Sequence, residues 1–245
     1  MSDGVFDASV AARYDRDVER MFAPEVLVPT VDFLADLAAS GRALEFAVGT
    51  GRVALALHER GVEVEGIELS ASMVAEMRAK PGADAVPVVV GDMTTTRVPG
   101  EFSLVYLVFN TIGNLLSQDE QVACFVNAAA HLAPGGAFVI ELEVPPLRRL
   151  PPGERFVPIG VDGGYAGLDE IDVVTQRLTS HHHAVNDDGT GTVFTTPQRY
   201  VWPAELDLMA RLAGLTLSER WEDWRRSPFT ADSTSHVSVW VKPQA

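Results

Sequence analysis

A short apolar strand that runs into a glycine turn and then a helix is the feature that most limits how this chain can fold. Residues 43–47 are apolar except for Glu45, Gly49-Thr50-Gly51 follows, and residues 52–60 place apolar side chains at helical spacing. Glycine allows such a turn because it has no Cβ and adopts positive φ without strain. A strand joined to a helix in this way is typical of an α/β sheet and brings backbone close to a ligand.

The alternation of strand and helix continues along the chain and predicts the fold class. Ser70 can cap a second helix, and Ser117 with Glu120 has the spacing of a capping box for a later one. The predicted strands of this part are residues 43–47, 64–69, 85–90, 102–109 and 137–144. This order predicts a doubly wound sheet with helices on both faces, whose ligands bind at the carboxyl ends of the strands.

The pattern changes at Pro145-Pro146, where a Pro- and Arg-rich stretch leads into a β-rich segment. Within that segment, predicted strands at 168–185 and 190–201 flank a turn at 186–189. A β-rich segment between two parts of an α/β sheet is expected to be an insertion.

The end of the chain returns to the α/β pattern. Pro203 begins a predicted helix, and strands are predicted at 215–221 and 236–241. We therefore expect an α/β protein of three parts: an N-terminal helical cap (1–40), a cofactor-binding core (41–145 and 203–245) and a β-rich lid insertion (146–202).

Three polar side chains lie near the ends of three successive predicted strands. Glu45 precedes the glycine turn, Glu68 ends the second strand, and Asp92 follows the third between Gly91 and Met93. Because the carboxyl ends of parallel strands meet at one edge of a sheet, these groups are expected to surround one ligand.

Two classes of cofactor use a glycine turn of this kind. A dinucleotide needs a third glycine at position 52, where this chain has Arg52, so an NAD-dependent oxidoreductase is the less favoured alternative. S-adenosylmethionine has no phosphates and presents an ammonium, a carboxylate and a ribose diol. Glu45 would act on its cationic methionine end, and Glu68 would accept hydrogen bonds from both ribose hydroxyls. Asp92 would accept from the adenine amine while Met93 packs on the ring.

Residues 41–144 resemble the class I S-adenosylmethionine-dependent methyltransferases. The motifs that carry the resemblance are LEFAVGTGR, GIELSASM, VVGDM, FSLVYLVFNTIGNL and HLAPGGAFVIE. The resemblance implies a Rossmann-like sheet of seven strands, the last inserted antiparallel, and S-adenosylhomocysteine as the product. With its β-rich lid, the chain is similar in layout to N-methyltransferases that act on amino sugars and antibiotic precursors.

The resemblance also implies which residues bind the cofactor. Tyr14 resembles an aromatic residue that folds over the cofactor from the N-terminal helix, although it can equally be a packing residue. Ala47 stands where the family usually has its first glycine. The implied set is Tyr14, Glu45, Ala47, Gly49, Gly51, Arg52, Glu68, Leu69, Met73, Gly91, Asp92, Met93, Phe109 and Asn110. Thr111, next to the last two, is likewise expected near the methionine portion.

Two carboxylates are candidate catalytic groups on the acceptor side. Glu141 and Glu143 alternate with apolar residues near the end of the fifth predicted strand, so both side chains project from one side of the sheet. Either can contact an acceptor, or pair with Arg148 or Arg149 instead.

The histidine run 181–183 lies in the predicted lid. On a strand, His181 and His183 share one face and His182 points to the other. We take His181 and His183 as candidates for a general base or an acceptor contact, since imidazole titrates near neutral pH. A solvated or stacked histidine run is the alternative, and a metal site is not predicted because further ligands are missing.

The charge balance limits the partners. The chain has 19 Lys plus Arg and 34 Asp plus Glu, a net charge of −15, without a basic run. Nucleic acids and anionic membranes are therefore disfavoured, and a neutral or cationic acceptor is favoured. Apolar stretches fall short of the roughly 20 residues that span a bilayer. The single cysteine, Cys124, fits a reducing compartment, and we expect a cytoplasmic protein.

Together these features predict a methyltransferase that moves the sulfonium methyl group to nitrogen or oxygen of a small molecule such as a natural-product precursor. A homodimer formed through the lid is a further expectation. A protein of the same fold that binds the cofactor without transferring its methyl group is the alternative of a different class.

Overall fold

The computed structural model describes residues 6–185 and 189–244, the side chain of Asp162 excepted. Within this part, the α-helices are α1 (Ala8–Asp17), α2 (Pro24–Ala38), α3 (Arg52–Glu59), α4 (Ala71–Arg78), α5 (Gln118–His131) and α6 (Pro203–Leu212). The strands are β1 (Ala43–Phe46), β2 (Val64–Glu68), β3 (Val88–Val90), β4 (Phe102–Leu107), β5 (Leu132–Glu143), β6 (Phe156–Asp162), β7 (Tyr165–Asp172), β8 (Arg177–Val185), β9 (Gly191–Arg199), β10 (Thr216–Trp221) and β11 (Ser235–Val241).

Seven strands form one mixed sheet in the order β10-β11-β5-β4-β1-β2-β3. Neighbours from β5 to β3 are parallel, whereas β11 is antiparallel to both β5 and β10. The last strand of the chain is thus inserted antiparallel. This arrangement confirms the predicted fold class.

Helices cover both faces of this sheet because its central strands are apolar on both sides. Leu44 and Phe46 of β1 belong to a cluster with α5 and α6, in which Phe125 is completely buried. Ala43 on the opposite face belongs to a second cluster with α2, α3 and α4. A strand buried on both faces needs apolar residues at every position, so the buried Glu45 in β1 is an exception that calls for a specific role.

The predicted helix starts are confirmed. Ser70 accepts a hydrogen bond from Met73 N, and Ser117 and Glu120 form a complete capping box at α5. The strand predicted at 85–90 was too long, because residues 83–85 form a 3-10 turn and β3 begins only after Pro87. Proline has no N–H to donate to a strand ladder, which accounts for the later start.

A second sheet, antiparallel and in the order β6-β7-β8-β9, lies within residues 146–202. The single strand predicted at 168–185 was wrong. Asp172 ends β7 because its side chain accepts a hydrogen bond from Val174 N, and Gln176, with φ of 55°, completes a turn before β8. The next predicted turn includes residues 186–188, which lie outside the described part. Strands β8 and β9 pair up to Val185 and Gly191 on either side of it.

A buried arginine joins this second sheet to the core. Arg199, at the end of β9, is 4% exposed and donates hydrogen bonds to Gln121 of α5, Gln176 and Glu205 of α6. Burial alone would raise the pKa of Glu205, but the hydrogen bonds from Arg199, Gln176 and Gln118 hold it below its usual value. The charge pair and its hydrogen bonds therefore fix the base of the β-rich segment.

Within the described residues, no helix has both the length and the apolar character needed to cross a bilayer.

We predict that Arg199→Met destabilises the fold by about 2–3 kcal/mol, since it leaves the partly buried Glu205 carboxylate without its counter-charge and removes the hydrogen bonds to Gln121 and Gln176. Urea unfolding followed by circular dichroism measures the loss. Arg211→Met, at an exposed position of α6, is the matched control and should change the free energy of unfolding by less than about 0.5 kcal/mol. Equal stability of the two variants would contradict the anchoring role of Arg199.

Candidate active site

A pocket opens at the carboxyl ends of β1, β2 and β3. Its walls combine the helical cap, the turns after these strands, the loop after β4 and one residue of the lid. The lining residues are Phe6, Tyr14, Ala47, Gly49, Ile67, Glu68, Leu69, Ser70, Met73, Gly91, Met93, Thr111, Asn114, Leu116 and Pro197.

Glu68 is the fixed carboxylate of this pocket. It is 6% exposed, and its two oxygens accept hydrogen bonds of 2.8 Å from Gly49 N and Ser70 N. Burial raises the pKa of Glu68, while these backbone donors favour the charged form. A carboxylate oxygen can accept two hydrogen bonds, so each oxygen keeps capacity for a ligand hydroxyl.

The turn between β1 and α3 takes positive φ at three positions: Ala47 at 53°, Gly49 at 58° and Gly51 at 81°. A Cβ on Gly51 would lie 2.8 Å from Met77 Cγ, so this position also needs glycine for packing against α4. Ala47 adopts a left-handed conformation that alanine tolerates only at a cost. The strain at Ala47 is maintained beside the pocket, as is common at ligand sites.

Glu45 does not line the pocket. It is 3% exposed and accepts a hydrogen bond of 2.9 Å from Tyr106 Oη. Burial raises the pKa of Glu45 to about 8, against the opposing effects of the Tyr106 hydrogen bond and the nearby Arg52 charge. The Arg52 guanidinium donates to Met21 O and lies 5.6 Å from the centre of the Phe109 ring.

Asp92 and Met93 have separate roles in the turn after β3. Asp92 Oδ1 accepts hydrogen bonds of 2.7 Å from the backbone N–H and the hydroxyl of Thr94. Met93 is buried in the pocket wall, and its carbonyl accepts a hydrogen bond from Asn127 of α5. The turn after β3 is thus stabilised by a local contact with Thr94 and by a long-range contact with α5.

The loop after β4 is held in an unusual conformation by the end of β5. Phe109 and Asn110 have φ of 58° and 59°, which is rare for a bulky residue such as Phe109. Glu141 accepts hydrogen bonds from Phe109 N and from Trp224 Nε1, and Asn110 Oδ1 accepts one from Glu143 N. The structure therefore gives Glu141 a supporting contact with the loop rather than a position in the pocket wall.

Glu143 lies at the end of β5. Partial burial raises its pKa and the charges of Asp169 on β7 and of Glu141 raise it further, whereas a hydrogen bond with Asn110 and the charge of Arg149 lower it. The carboxylates of Glu143 and Asp169 are thus near enough to affect each other's charge.

The helical cap is fastened to the core beside the pocket. Asp15 accepts a hydrogen bond of 2.6 Å from Thr50 Oγ1 and forms an ion pair with Lys80. Phe6 O accepts a hydrogen bond from Ser70 Oγ. These contacts bring Tyr14, whose pKa burial raises to about 12, into the pocket wall with a neutral phenol.

The two faces of the lid sheet separate the histidines. His182 lies on the face that carries Asp169, Ser180 and Phe194, as the register of β7, β8 and β9 shows. His181 and His183 lie on the opposite face, where His181 contacts Glu170 at 3.1 Å. None of the three histidines is among the residues that line the pocket.

The structure thus brings eight of the expected cofactor residues to the pocket wall: Tyr14, Ala47, Gly49, Glu68, Leu69, Met73, Gly91 and Met93. It does not bring Glu45, Gly51, Arg52, Asp92, Phe109 and Asn110 there. Thr111, expected from the resemblance together with Phe109 and Asn110, also lines the pocket. The lining residues that were not expected from the sequence are Phe6, Ile67, Ser70, Asn114, Leu116 and Pro197. Ile67 and Ser70 could have been predicted from the GIELSASM motif, because they flank Glu68 and Leu69 there.

Among the described residues, no group of three or more His, Cys, Asp or Glu side chains is arranged to hold a metal ion. Cys124 is buried, and burial raises its thiol pKa well above the usual value.

Comparisons with known proteins agree with this geometry. A family model described as a methyltransferase domain matches residues 43–136. The cypemycin N-terminal methyltransferase of a Streptomyces species is 30% identical over 245 residues, and the alignment covers 98% of each protein. The chain belongs to the S-adenosylmethionine-dependent methyltransferases.

Solved structures of this family share the fold of the methyltransferase described here. The CcbJ methyltransferase from Streptomyces caelestis superposes with a TM-score of 0.87 and 36% identity, covering 100% of both chains. The SAM-bound CalS10 from Micromonospora echinaspora, an amino pentose methyltransferase, has a TM-score of 0.67 and 22% identity and covers 89% of this chain and 90% of that one. The cofactor of the methyltransferase is S-adenosylmethionine, and S-adenosylhomocysteine is its product.

The residues present fit this cofactor. Glu68 supplies an anchored carboxylate for a diol, and Met73 and Met93 supply apolar surface for a purine. The turn at Gly49 exposes backbone to the pocket.

We predict that Glu45→Gln removes a pH-dependent loss of stability. In the folded protein the Glu45 carboxyl has a pKa of about 8 and stays protonated up to that pH. In the unfolded chain the same carboxyl has a pKa of roughly 4.3 and ionises much earlier. Its contribution to stability is therefore complete at low pH and falls as pH rises toward 8. The free energy of unfolding of Glu45→Gln relative to wild type should increase by roughly 2 kcal/mol between pH 6 and 8.

Urea unfolding at both pH values measures this change, with Glu76→Gln on the exposed side of α4 as the control. If wild type and Glu45→Gln keep a constant difference across this range, Glu45 is not a protonated buried group.

Proposed function

We propose that the methyltransferase transfers the sulfonium methyl group to an amine nitrogen of a small natural-product precursor. The observation that carries this proposal is the continuity of the pocket, which runs from Glu68 at the end of β2 to Pro197 on the lid strand β9. The end bounded by Thr111, Asn114, Leu116 and Pro197 is a place for an acceptor beside the methionine end of the cofactor.

The proposed roles of the cofactor residues follow from their contacts. Glu68 accepts hydrogen bonds from the two ribose hydroxyls, and Met73 and Met93 pack on the adenine. Tyr14 and Phe6, fastened by the cap contacts, cover the cofactor from the other side. Arg52 and Glu45 act on the carboxylate and ammonium of the methionine end from just behind the pocket wall, since an arriving cation favours the ionised form of Glu45.

Methyl transfer from a sulfonium needs an in-line approach and a nucleophile with a free electron pair. Positioning therefore supplies much of the catalysis. The held loop at Phe109 and Asn110 supports this role, because Glu141 and Glu143 N fix its backbone next to Thr111. Glu141 is thus a positioning residue, whereas Glu143 is left facing the acceptor side.

Nitrogen is favoured over oxygen as the acceptor atom by two observations. The neighbouring negative charges of Glu143 on β5 and Asp169 on β7 favour a cationic or neutral acceptor, as the net charge of −15 does. The cypemycin relative acts on an N-terminus, and the CalS10 enzyme is named for an amino pentose.

We predict that Glu68→Gln weakens binding of S-adenosylhomocysteine about 10–100-fold, because hydrogen bonds to a charged carboxylate are replaced by weaker ones to an amide. Isothermal titration calorimetry measures the affinity, with Glu76→Gln as the exposed control on α4. A Glu68→Gln variant that keeps wild-type affinity and unfolds at the wild-type temperature would refute the ribose assignment.

The acceptor class is tested with matched pairs of probes that differ at the nucleophile. We expect methylation of 3-amino-3-deoxyglucose or of trialanine with a free amino group, and none of glucose or N-acetyl-trialanine. Release of S-adenosylhomocysteine, followed by mass spectrometry of the product, measures the transfer. Methylation of the hydroxyl probes alone would overturn nitrogen in favour of oxygen. Tight cofactor binding without transfer to any amine or phenol would support the non-transfer alternative.

A homodimer and a cytoplasmic location belong to the same proposal. The outer face of the lid carries exposed apolar side chains that a second copy would cover, and these are Phe156, Val161, Leu168, Val185 and Val193. Sedimentation velocity of the full chain should give twice the monomer mass. The acidic surface also argues against nucleic acid as a partner.

A further inference from the structure

The inner face of the lid carries a network of polar side chains that has no role in the proposed function as stated so far. The inner face is the side of the lid sheet that carries the side chains of Asp169, Ser180, His182, Phe194 and Thr196. Ser180 Oγ donates a hydrogen bond of 2.7 Å to Asp169 Oδ1. Polar side chains on the covered face of a small sheet are unexpected unless something polar faces them.

His182 contacts three neighbours in this network. Its Nδ1 lies 2.8 Å from Tyr165 Oη, and its ring stacks on Phe194 with centroids 4.4 Å apart and planes 14° apart. The second nitrogen, Nε2, has a long contact of 3.5 Å with Thr196 Oγ1. One ring nitrogen is therefore fixed, while the other has only a weak partner that a ligand can displace.

Two contacts connect this face to elements around the pocket. The Arg13 guanidinium, next to Tyr14 on the cap, lies 5.7 Å from the centre of the Phe194 ring. Gln198, on the same face near the end of β9, packs against the loop after β4, where a Cβ on Gly113 would lie 3.5 Å from Gln198 Oε1. The charge of Asp169 acts on both Glu143 and His182. Phe194 is 41% exposed, so the face is open to a ligand at this point.

We propose that His182 Nε2 accepts the proton of an acceptor ammonium group that enters between the lid and the core. The inference rests on the proposed amine transfer. In the required tautomer, Nδ1–H donates to Tyr165 Oη, which leaves the Nε2 electron pair free. An amine is protonated at neutral pH and cannot attack until this proton is removed.

In the proposed step, the proton moves from the ammonium nitrogen to His182 Nε2, and the electron pair of the N–H bond stays on nitrogen. That pair forms the new N–C bond while the C–S bond of the sulfonium breaks and its electrons remain on sulfur. His182 then returns its proton to solvent.

The charges around His182 suit this role. Burial lowers the pKa of His182, and His181 and His183 on the same strand lower it further, so the imidazole is neutral at pH 7. Asp169 on β7 opposes this effect and would stabilise the imidazolium as it forms. Glu143 on β5 adds a second carboxylate on that side, whereas Arg13 of α1 stands over Phe194. Tyr165 is neutral, because burial raises its pKa.

His182→Asn tests the proposal, with His181→Asn and His183→Asn as matched controls from the outer face of the same strand. At pH 7, His182→Asn should lower kcat/KM for 3-amino-3-deoxyglucose or trialanine, whichever wild type methylates, about tenfold, because only about a tenth of an amine with a pKa of about 8 is free at that pH. Wild-type kcat/KM should be nearly constant from pH 7 to 9. That of His182→Asn should rise about tenfold in total over this range, level off above pH 8 and approach wild type, since only free amine reacts. The controls should stay within about twofold of wild type.

The pH profile separates a base from a structural residue. A His182→Asn defect of equal size at every pH, or no defect at all, would overturn the role of His182. Affinity for S-adenosylhomocysteine and the far-ultraviolet circular dichroism spectrum should be unchanged in all three variants. If wild type methylates none of the amines, the proposed function fails; if it methylates them and His182→Asn has a flat defect, only the present inference fails.

Discussion

The position of the Glu68 carboxylate determines how most of the pocket is built. Its oxygens bind Gly49 N from the turn after β1 and Ser70 N at the start of α4, so one side chain holds two neighbouring strand ends in register. Ser70 also binds Phe6 O, which ties the cap to the same point. A buried carboxylate is costly unless it is hydrogen-bonded. The folded state therefore requires the turn, α4 and the cap to be placed together, and the same arrangement leaves a carboxylate at the pocket wall.

The acceptor side depends on a different kind of constraint, which is support of a strained loop from a neighbouring strand. Phe109 and Asn110 adopt conformations that cost free energy, and β5 stabilises them through Glu141 and the Glu143 backbone. Glu141 also binds the indole of Trp224. Glu141 therefore supports the loop after β4, although its place at the end of a parallel strand would equally suit a residue that binds substrate.

The sequence pattern was sufficient for the doubly wound fold class and for those parts of the site that depend on neighbouring residues, whereas the antiparallel last strand was expected from the family resemblance. Glu68, Gly49 and Met93 stand next to their strand ends, so their arrival at one edge follows from the topology. Pro197 and Asn114 were not predictable, because they reach the pocket through long-range docking of the lid and the loop after β4. The buried location of Glu45 also depends on Tyr106, which comes from the neighbouring strand β4 and not from the motif.

Because side chains alternate along a β-strand, the sequence predicts which histidines share a face of the lid sheet. It does not predict which of the two faces is covered. The run itself predicts two faces, with His182 alone on one of them. Which face is covered depends on burial at distant positions: Val157, Ile171 and Leu178 form a small apolar cluster with Leu147 and Leu150 of the segment that leads into the lid. Leu178 shares its face with Ser180 and His182, whereas His181 and His183 share theirs with exposed apolar residues such as Val193. The covered side of the lid sheet is therefore the side of His182, and this could not be read from the histidine run itself.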